Sequence, residues 1–169
     1  MNLLSKEGIS LGSTSSEKEI CRQIKEKLGE INSNPNQKNQ LQRITYEMPD
    51  GNTILVGNAR ADCFEPLFTP QLCAMSCGGI SQMIYQVLQS INCQTNDIIL
   101  VGGTTLVKGM KERIQNEMKL LFNVDVNVIS GNDNKWIPWL GAKVLDQQNI
   151  GKVITKEQWQ SEGALCLDD

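Results

Sequence analysis

Apolar residues recur at helical spacing early in the chain. The stretch SEKEICRQIKEKLGEI, residues 16–31, repeats them every three or four positions, at Ile20, Ile24, Leu28 and Ile31. Ser16 followed three residues later by Glu19 has the form of a capping box, in which side chains satisfy the free amides of a first helical turn. The pattern predicts an amphipathic helix that begins at Ser16 and continues to Ile31.

A period-two pattern follows the polar loop NSNPNQKNQ at residues 32–40. In QRITYEMPDGNTILVG, residues 42–57, apolar side chains alternate with polar ones on both sides of the turn Pro49-Asp50-Gly51. Ile44, Tyr46 and Met48 then face Ile54 and Val56. This arrangement is typical of a β-hairpin, so a small α+β unit is expected before residue 60 or so.

Residues 61–79 are expected to be irregular, because prolines and glycines interrupt them. Helical and strand patterns then alternate: a helix from Ile80 to Ile91, the strand DIILVGG, a helix over Lys108–Phe122 and the strand VDVNVIS. This rhythm predicts an α/β layer with a parallel pair of strands. The segment WIPWLGAKVL enters another helix, and Thr155 with Gln158 begins the last element. The main boundary is placed near residue 80.

Composition and charge argue against some classes of partner. Sixteen basic and nineteen acidic residues give a net charge of -3 with no basic block, so no direct nucleic-acid partner is expected. No stretch approaches the ~20 apolar residues of a membrane span, and no signal peptide is visible, so the chain is expected to be soluble, intracellular and free of membrane.

The residues that commonly bind metals or catalyse reactions are sparse. The six cysteines form no C-x-x-C pair, Cys73-x-x-x-Cys77 alone is a weak signal, and there is no histidine. Reduced cysteines, mostly packed as small apolar side chains, are expected and no metal site is. The absence of histidine removes Ser-His-Asp and Cys-His catalysis, so any catalytic groups would be carboxylates, lysines or groups outside the chain.

The segment IILVGGTTLVKG, residues 98–109, ends a strand at two glycines before a helix. Such a turn at the carboxyl edge of a parallel sheet is where α/β proteins place ligands, because glycine allows close approach and the next helix offers free amides. The turn fits neither G-x-G-x-x-G nor the P-loop. From spacing alone, a ligand site and a purely structural corner both stay open.

Several long segments, taken in order, resemble the C-terminal half of actin and actin-related proteins. They cover essentially the whole chain. They are MNLLSKEGISLGSTSSEKEICRQIKEKL, YEMPDGNTILVGNAR, CFEPLFTPQL, MSCGGI, ILVGGTTLVKGMKERIQNEM, NKWIPWLGAKVL and ITKEQW. The resemblance implies an actin-like ATPase fold of the ribonuclease H-like class, of which this α/β chain supplies the C-terminal half. Residues 1–80 would form an outer α+β subdomain, residues 81–135 an inner α/β subdomain, and residues 136–169 a helical extension toward the other lobe.

The resemblance also implies an ATP or ADP site. Residues that match its adenosine side lie on the first helix, in the glycine turn and before the last helices: Arg22, Lys25, Glu26, Gly102, Gly103, Thr104, Leu106 and Lys135. A solvated, ion-paired helix face is the alternative interpretation of the trio Arg22, Lys25 and Glu26. No catalytic residue is assigned, and Mg²⁺ is expected only if the missing half is supplied.

The chain departs from the family pattern at several positions. The 169 residues lack the two phosphate-binding hairpins and the residues that position water, so no hydrolysis is expected from this chain alone. Val107 stands where the family has a tyrosine beside the adenine, and Lys108 stands where it has a proline. Trp136 is the candidate to take the place of the tyrosine ring. The end EGALCLDD is acidic. The segment FTPQLCAMSCGG, residues 68–79, resembles the apolar plug of the actin filament, with a buried irregular loop as the alternative.

Two functions follow from the resemblance. The first is a divergent or truncated actin-like component of the cytoskeleton or of a larger assembly, which retains the adenosine side of an ATP site. The alternative is a half-actin without ATPase activity, held in an axonemal or chromatin complex whose other subunits cover its open face. The expected partners are actin-like subunits or such an assembly, and the expected location is the cytoplasm and cytoskeleton, with cilium and nucleus as further locations. A sugar or acetate kinase is disfavoured, because no phosphate loops or carboxylate base are visible. Whether Met1 is the native start stays open.

Overall fold

The computed structural model describes residues 3–34, 41–90, 96–151 and 153–167. Seven α-helices and four short strands alternate with 3-10 turns in this part of the chain. The helices are α1 (Ser15–Leu28), α2 (Ala59–Asp62), α3 (Glu65–Phe68), α4 (Ile80–Ser90), α5 (Met110–Phe122), α6 (Ile137–Gln147) and α7 (Lys156–Glu162). The strands are β1 (Ile44–Glu47), β2 (Thr53–Val56), β3 (Asp97–Ile99) and β4 (Asn127–Ile129).

The capping residue of helix α1 lies two positions earlier than the sequence pattern indicates. The capping box consists of Thr14 and Glu17, whose side chains each accept an amide of the other residue, and the prediction of Ser16 with Glu19 is wrong. Glu19 instead binds Arg22. The helix ends before Gly29, whose backbone is extended, so Ile31 lies outside the helix.

The predicted hairpin is confirmed. Strands β1 and β2 pair antiparallel, with Ile44 opposite Val56 and Tyr46 opposite Ile54. Tyr46 and Val56 pack against Ile24 of α1 and Leu4 in the first of two apolar clusters. The α+β unit is therefore built by burying one face of the hairpin under the amphipathic helix.

The segment predicted to be irregular contains short helices. Pro66 lies in the first turn of α3, and Pro70 begins a 3-10 turn that ends at Cys73. Proline is well tolerated in a first helical turn, because the amide it lacks would have no helical partner there. Residues that break long helices thus start short ones here, and the prediction of an irregular segment was wrong in this respect.

The larger cluster gathers side chains from both sides of residue 80. Phe64 and Phe68 precede that position, and they share a core with Ile31 and with residues of the second half of the chain. Those partners are Leu100, Met110, Ile114, Met118 and Val128. The predicted division of the chain at residues 80 and 135 stays a prediction, since packing alone does not define the subdomains.

The parallel strand pair is confirmed. Ile98 of β3 lies opposite Val128 of β4, and helix α5 connects the two strands. Helix α4 packs against α5, where the rings of Tyr85 and Phe122 stack at 4.4 Å. Ile91, expected at the end of α4, lies outside the described residues.

The C-terminal helices leave most of their apolar side chains in solvent. The predicted entry into α6 is confirmed, and Thr155 and Gln158 form the predicted capping box of α7. On α6 and just before it, Trp136, Trp139, Val144 and Leu145 are about half exposed or more. Within the described ranges, no helix has both the length and the apolar character needed to cross a bilayer.

Candidate functional site

The glycine turn, defined here as residues 102–106, is fixed to the loop that precedes α6. Gly102 has a φ of 95°, a region that favours glycine, and its amide donates to the carbonyl of Asn134 at 2.8 Å. The Thr105 hydroxyl donates to the carbonyl of Gly102 at 2.7 Å and closes the turn. Gly103 to Leu106 then form a 3-10 helix.

Asn134 is the central side chain of this contact and is fully buried. Its Oδ1 accepts the amide of Gly131 at 2.8 Å, and its Nδ2 donates to Thr105 Oγ1 and to Ser130 Oγ, each at 3.0 Å. Buried amides are stable only when their donors and acceptors are paired, as they are here. Asn134 could not be identified from the sequence, because nothing in the polar run GNDNK distinguishes it from its exposed neighbours.

The outer face of the glycine turn is open. Gly103, Thr104 and Leu106 are exposed, and no atom lies within 4 Å of the position that a side chain on Gly103 would occupy. Val107 instead turns its side chain toward the larger apolar cluster. The turn therefore presents a small apolar surface against which a flat ring or a sugar can lie.

Lys135 follows the buried Asn134 directly and is exposed. Its Nζ lies 5.2 Å from the centre of the Trp136 ring, within the range of a cation–π contact. The hydrogen bond from Gly102 to Asn134 places the backbone next to Lys135 beside the glycine turn. Five of the predicted residues are thus brought together: Gly102, Gly103, Thr104, Leu106 and Lys135.

The other three predicted residues lie on the outer face of α1. Arg22 donates to Glu19 at 2.7 Å and lies 3.7 Å from Glu26, and the bond with Glu19 raises the pKa of its guanidinium. Lys25 Nζ lies 5.0 Å from the centre of the Phe64 ring. In the described chain this trio therefore takes part in helix ion pairing and in packing against Phe64.

A backbone contact connects the segment that follows α1 with the segment that follows the glycine turn. The amide of Ile31 donates to the carbonyl of Lys108 at 2.7 Å, and Glu30 and Lys108 form a parallel β-bridge. Gly109 follows with a φ of 89°, and a side chain at this position would collide with the carbonyl oxygen of Ile31. The helix that carries Arg22, Lys25 and Glu26 is thereby anchored to the turn, although those side chains contact other groups.

The described cysteines range from buried to exposed, with Cys21 and Cys63 half-buried. Burial raises the pKa of the Cys63 thiol to about 11, and Cys166 is buried. Cys73 and Cys77 are exposed, so the expectation of packed side chains is wrong for these two. Cys93 lies outside the described residues. No group of three or more side chains of His, Cys, Asp or Glu in the described ranges is arranged to hold a metal ion.

The segment that resembles the filament plug is exposed from Gln71 to Cys77. Leu72 and Met75 are 65% and 48% exposed, and Ala74 has a φ of 57°. The alternative interpretation, a buried irregular loop, is therefore wrong for this stretch. Its apolar side chains are available for contact with another molecule.

Comparison with known proteins supports the resemblance independently. A profile of the actin family matches residues 6–168. A putative actin-29 from Dictyostelium discoideum is 34% identical over 165 residues, an alignment that covers 82% of this chain and 42% of the relative. The chain thus spans less than half the length of this curated relative. With its mixed α/β structure and a family match over nearly its whole length, the chain belongs to the actin family.

Proposed function

We propose that these 169 residues form the adenosine side of an ATP or ADP site in an actin-like protein. Under this proposal they make up the C-terminal half of the fold, with an outer subdomain over residues 1–80, an inner one over residues 81–135 and an extension over residues 136–169. Segments outside this sequence supply the phosphate loops, the groups that hold Mg²⁺ and the groups that position water. The 169 residues alone bind nucleotide weakly and do not hydrolyse it.

The rigid, open glycine turn carries the proposal. Gly102 and Thr105 are bonded to the buried Asn134, while Gly103 and Leu106 keep an unobstructed face. A site whose donors and backbone are already ordered loses little entropy when a ligand binds. In this arrangement Lys135 stands beside the base, and Glu26 can accept hydrogen bonds from ribose hydroxyls after leaving Arg22.

Calorimetry and ligand-observed NMR test the proposal together. Titration of ATP, ADP and adenosine into the 169-residue protein should show no micromolar affinity, because the phosphate contacts are absent. Saturation-transfer NMR at millimolar ligand should show transfer to adenine protons from all three compounds, and Gly103→Val should reduce it. Micromolar ATP affinity, or identical transfer in Gly103→Val, would contradict the proposal.

The alternative, a half-actin that serves only as an interaction module, is favoured by the C-terminal apolar surface. Trp136 and Trp139 are more than half exposed, and Leu140 is 40% exposed. Large exposed apolar patches mark protein contacts. Partners that cover this surface would be actin-like subunits or components of a larger cytoskeletal, axonemal or chromatin assembly.

Native size and ligand content separate the two functions. The interaction-module function predicts that the chain elutes from native extract in a complex, that Trp139→Arg releases it from that complex, and that this chain itself binds no nucleotide there. The control Trp159→Arg, on α7, should leave the complex intact. Photocrosslinking of an azido-ATP to this chain within the complex supports the adenosine site instead.

A further inference from the structure

A second concave surface lies between α3 and α5 and is separate from the face of the glycine turn. Its volume is about 1210 Å³, and its walls come from residues 30–33, 58–73 and 108–121, together with Leu3, Lys6 and Leu41. Pockets for small ligands usually measure roughly 300–1,000 Å³. The size therefore suits a segment of another protein better than a compact small molecule. This surface, called here the Arg113 cavity, is not used by the proposed nucleotide site.

Arg113 lies in the wall of the cavity and is only 2% exposed. Its Nε donates to Glu117 at 2.6 Å, and its terminal nitrogens donate to both oxygens of Glu65 at 2.9 Å and to the carbonyl of Asn32 at 2.8 Å. The guanidinium also lies 4.5 Å from the centre of the Phe68 ring. Because its donors are occupied, Arg113 is not available to receive an anion.

The charges that line the cavity sum to a negative value. Two carboxylates surround Arg113, so this buried group carries one net negative charge. Asp62 and Glu112 are exposed in the lining, and neither forms an ion pair with another residue in the described ranges. Glu30 is balanced by Arg60, so the other four acidic residues of the lining face three basic ones, Lys6, Lys108 and Arg113, which leaves one negative charge in excess.

Apolar side chains border the same surface. Leu72 and Leu121 are 65% and 62% exposed, and both line the cavity with Pro66 and Phe68. A ligand that is only cationic would leave these leucines in water. A ligand that is only apolar would leave the carboxylates without a counter-charge.

We propose that the Arg113 cavity binds a segment of a partner protein in which apolar residues flank lysine or arginine. The leucines contact the apolar residues, and Asp62 and Glu112 pair with the basic ones. Charge complementarity at an exposed rim mainly sets which partner is accepted and how fast it associates. The interaction should therefore weaken as salt is raised.

Fluorescence anisotropy with labelled peptides tests the proposal on the full chain. The probe is a short peptide of alternating leucine and lysine, and the comparison peptide replaces lysine with glutamate. We expect the lysine peptide to bind and the glutamate peptide not to bind. The double variant Asp62→Asn, Glu112→Gln should weaken the binding of the lysine peptide by about fivefold, as expected for two exposed ion pairs.

Matched variants control for overall charge and for exposed leucine. The variant Asp146→Asn, Glu157→Gln removes the same charge from exposed positions on α6 and α7 and should bind the peptide as the parent does. Leu121→Ser should weaken binding, whereas Leu120→Ser, at a neighbouring leucine outside the lining, should not. Absence of binding, equal binding of the glutamate peptide, or equal losses in the control variants would overturn the proposal.

Discussion

The amide of Gly102 lies 2.8 Å from the carbonyl oxygen of Asn134 and donates a hydrogen bond to it. This bond joins the turn that ends β3 to the loop that follows β4. The Asn134 side chain reinforces it by donating to Thr105. The open face of the glycine turn and Lys135 are thus held together by a residue that has no exposed surface.

Asn134→Ala should destabilise the protein by about 1–3 kcal/mol, because the amide of Gly131 and the hydroxyl of Thr105 lose a buried partner. Urea unfolding followed by circular dichroism measures the change. The control Asn132→Ala, at an exposed position of the same loop, should stay within about 0.5 kcal/mol of the parent protein. Equal stability of the two variants would show that Asn134 does not hold the loop.

Gly109→Ala should destabilise the protein more than Gly8→Ala does. Both glycines have positive φ, 89° and 81°, so both variants carry backbone strain of about 1–2 kcal/mol. Only at Gly109 would the new methyl group meet a backbone atom, the carbonyl oxygen of Ile31. Thermal unfolding of both variants measures the difference, and a larger loss for Gly8→Ala would contradict the described anchor between α1 and the turn.

Arg113→Met should cost about 3–5 kcal/mol, because it leaves Glu65 and Glu117 near each other and partly or fully buried without a counter-charge. Burial by itself would lower the pKa of Arg113, yet the hydrogen bonds with Glu65 and Glu117 outweigh it and raise that pKa. Arg22→Met removes an exposed arginine that also contacts two carboxylates, and it should change the unfolding free energy far less. Similar effects of the two substitutions in urea would rule out a structural role for the buried network.

Glu17 should link the stability of α1 to pH. The amides of Thr14 and Ser13 donate to its carboxylate and hold its pKa below the ordinary value of 4.5. A lowered pKa in the folded state stabilises the protein above pH 4.5, and this contribution disappears as the pH falls through the folded pKa. NMR titration of the Glu17 carboxyl carbon should give a value below 4.5, and Glu17→Gln should remove this part of the acid sensitivity. A titration at or above 4.5 would contradict the capping box.

Most elements could be predicted from the sequence, because their apolar periodicity is strong. The hairpin follows from alternation around Pro49-Asp50-Gly51, and the parallel pair follows from the order of strand, helix and strand. Element ends were less predictable. Thr14 and Ser16 are both good capping residues, each with a glutamate three positions later, so the sequence pattern does not distinguish them, and the structure has Thr14 as the cap.

The candidate site could be predicted only in part. The glycine turn and Lys135 follow from the resemblance, and the structure brings them together. Asn134 could not be found, because its role depends on a contact with Thr105, 29 positions earlier in the chain. The same holds for Arg113, whose spacing from Glu117 suits an ordinary exposed helix pair, whereas its burial depends on Glu65 and Phe68.

The most direct test of the adenosine site is a heteronuclear NMR titration of the labelled 169-residue protein with adenosine. If the glycine turn lines the adenosine site, the largest chemical-shift changes fall on the amides of Gly103, Thr104 and Leu106 and on Lys135, with smaller changes on α1. Changes confined to the Arg113 cavity or to α6, or no changes at millimolar adenosine, would contradict the presence of this site.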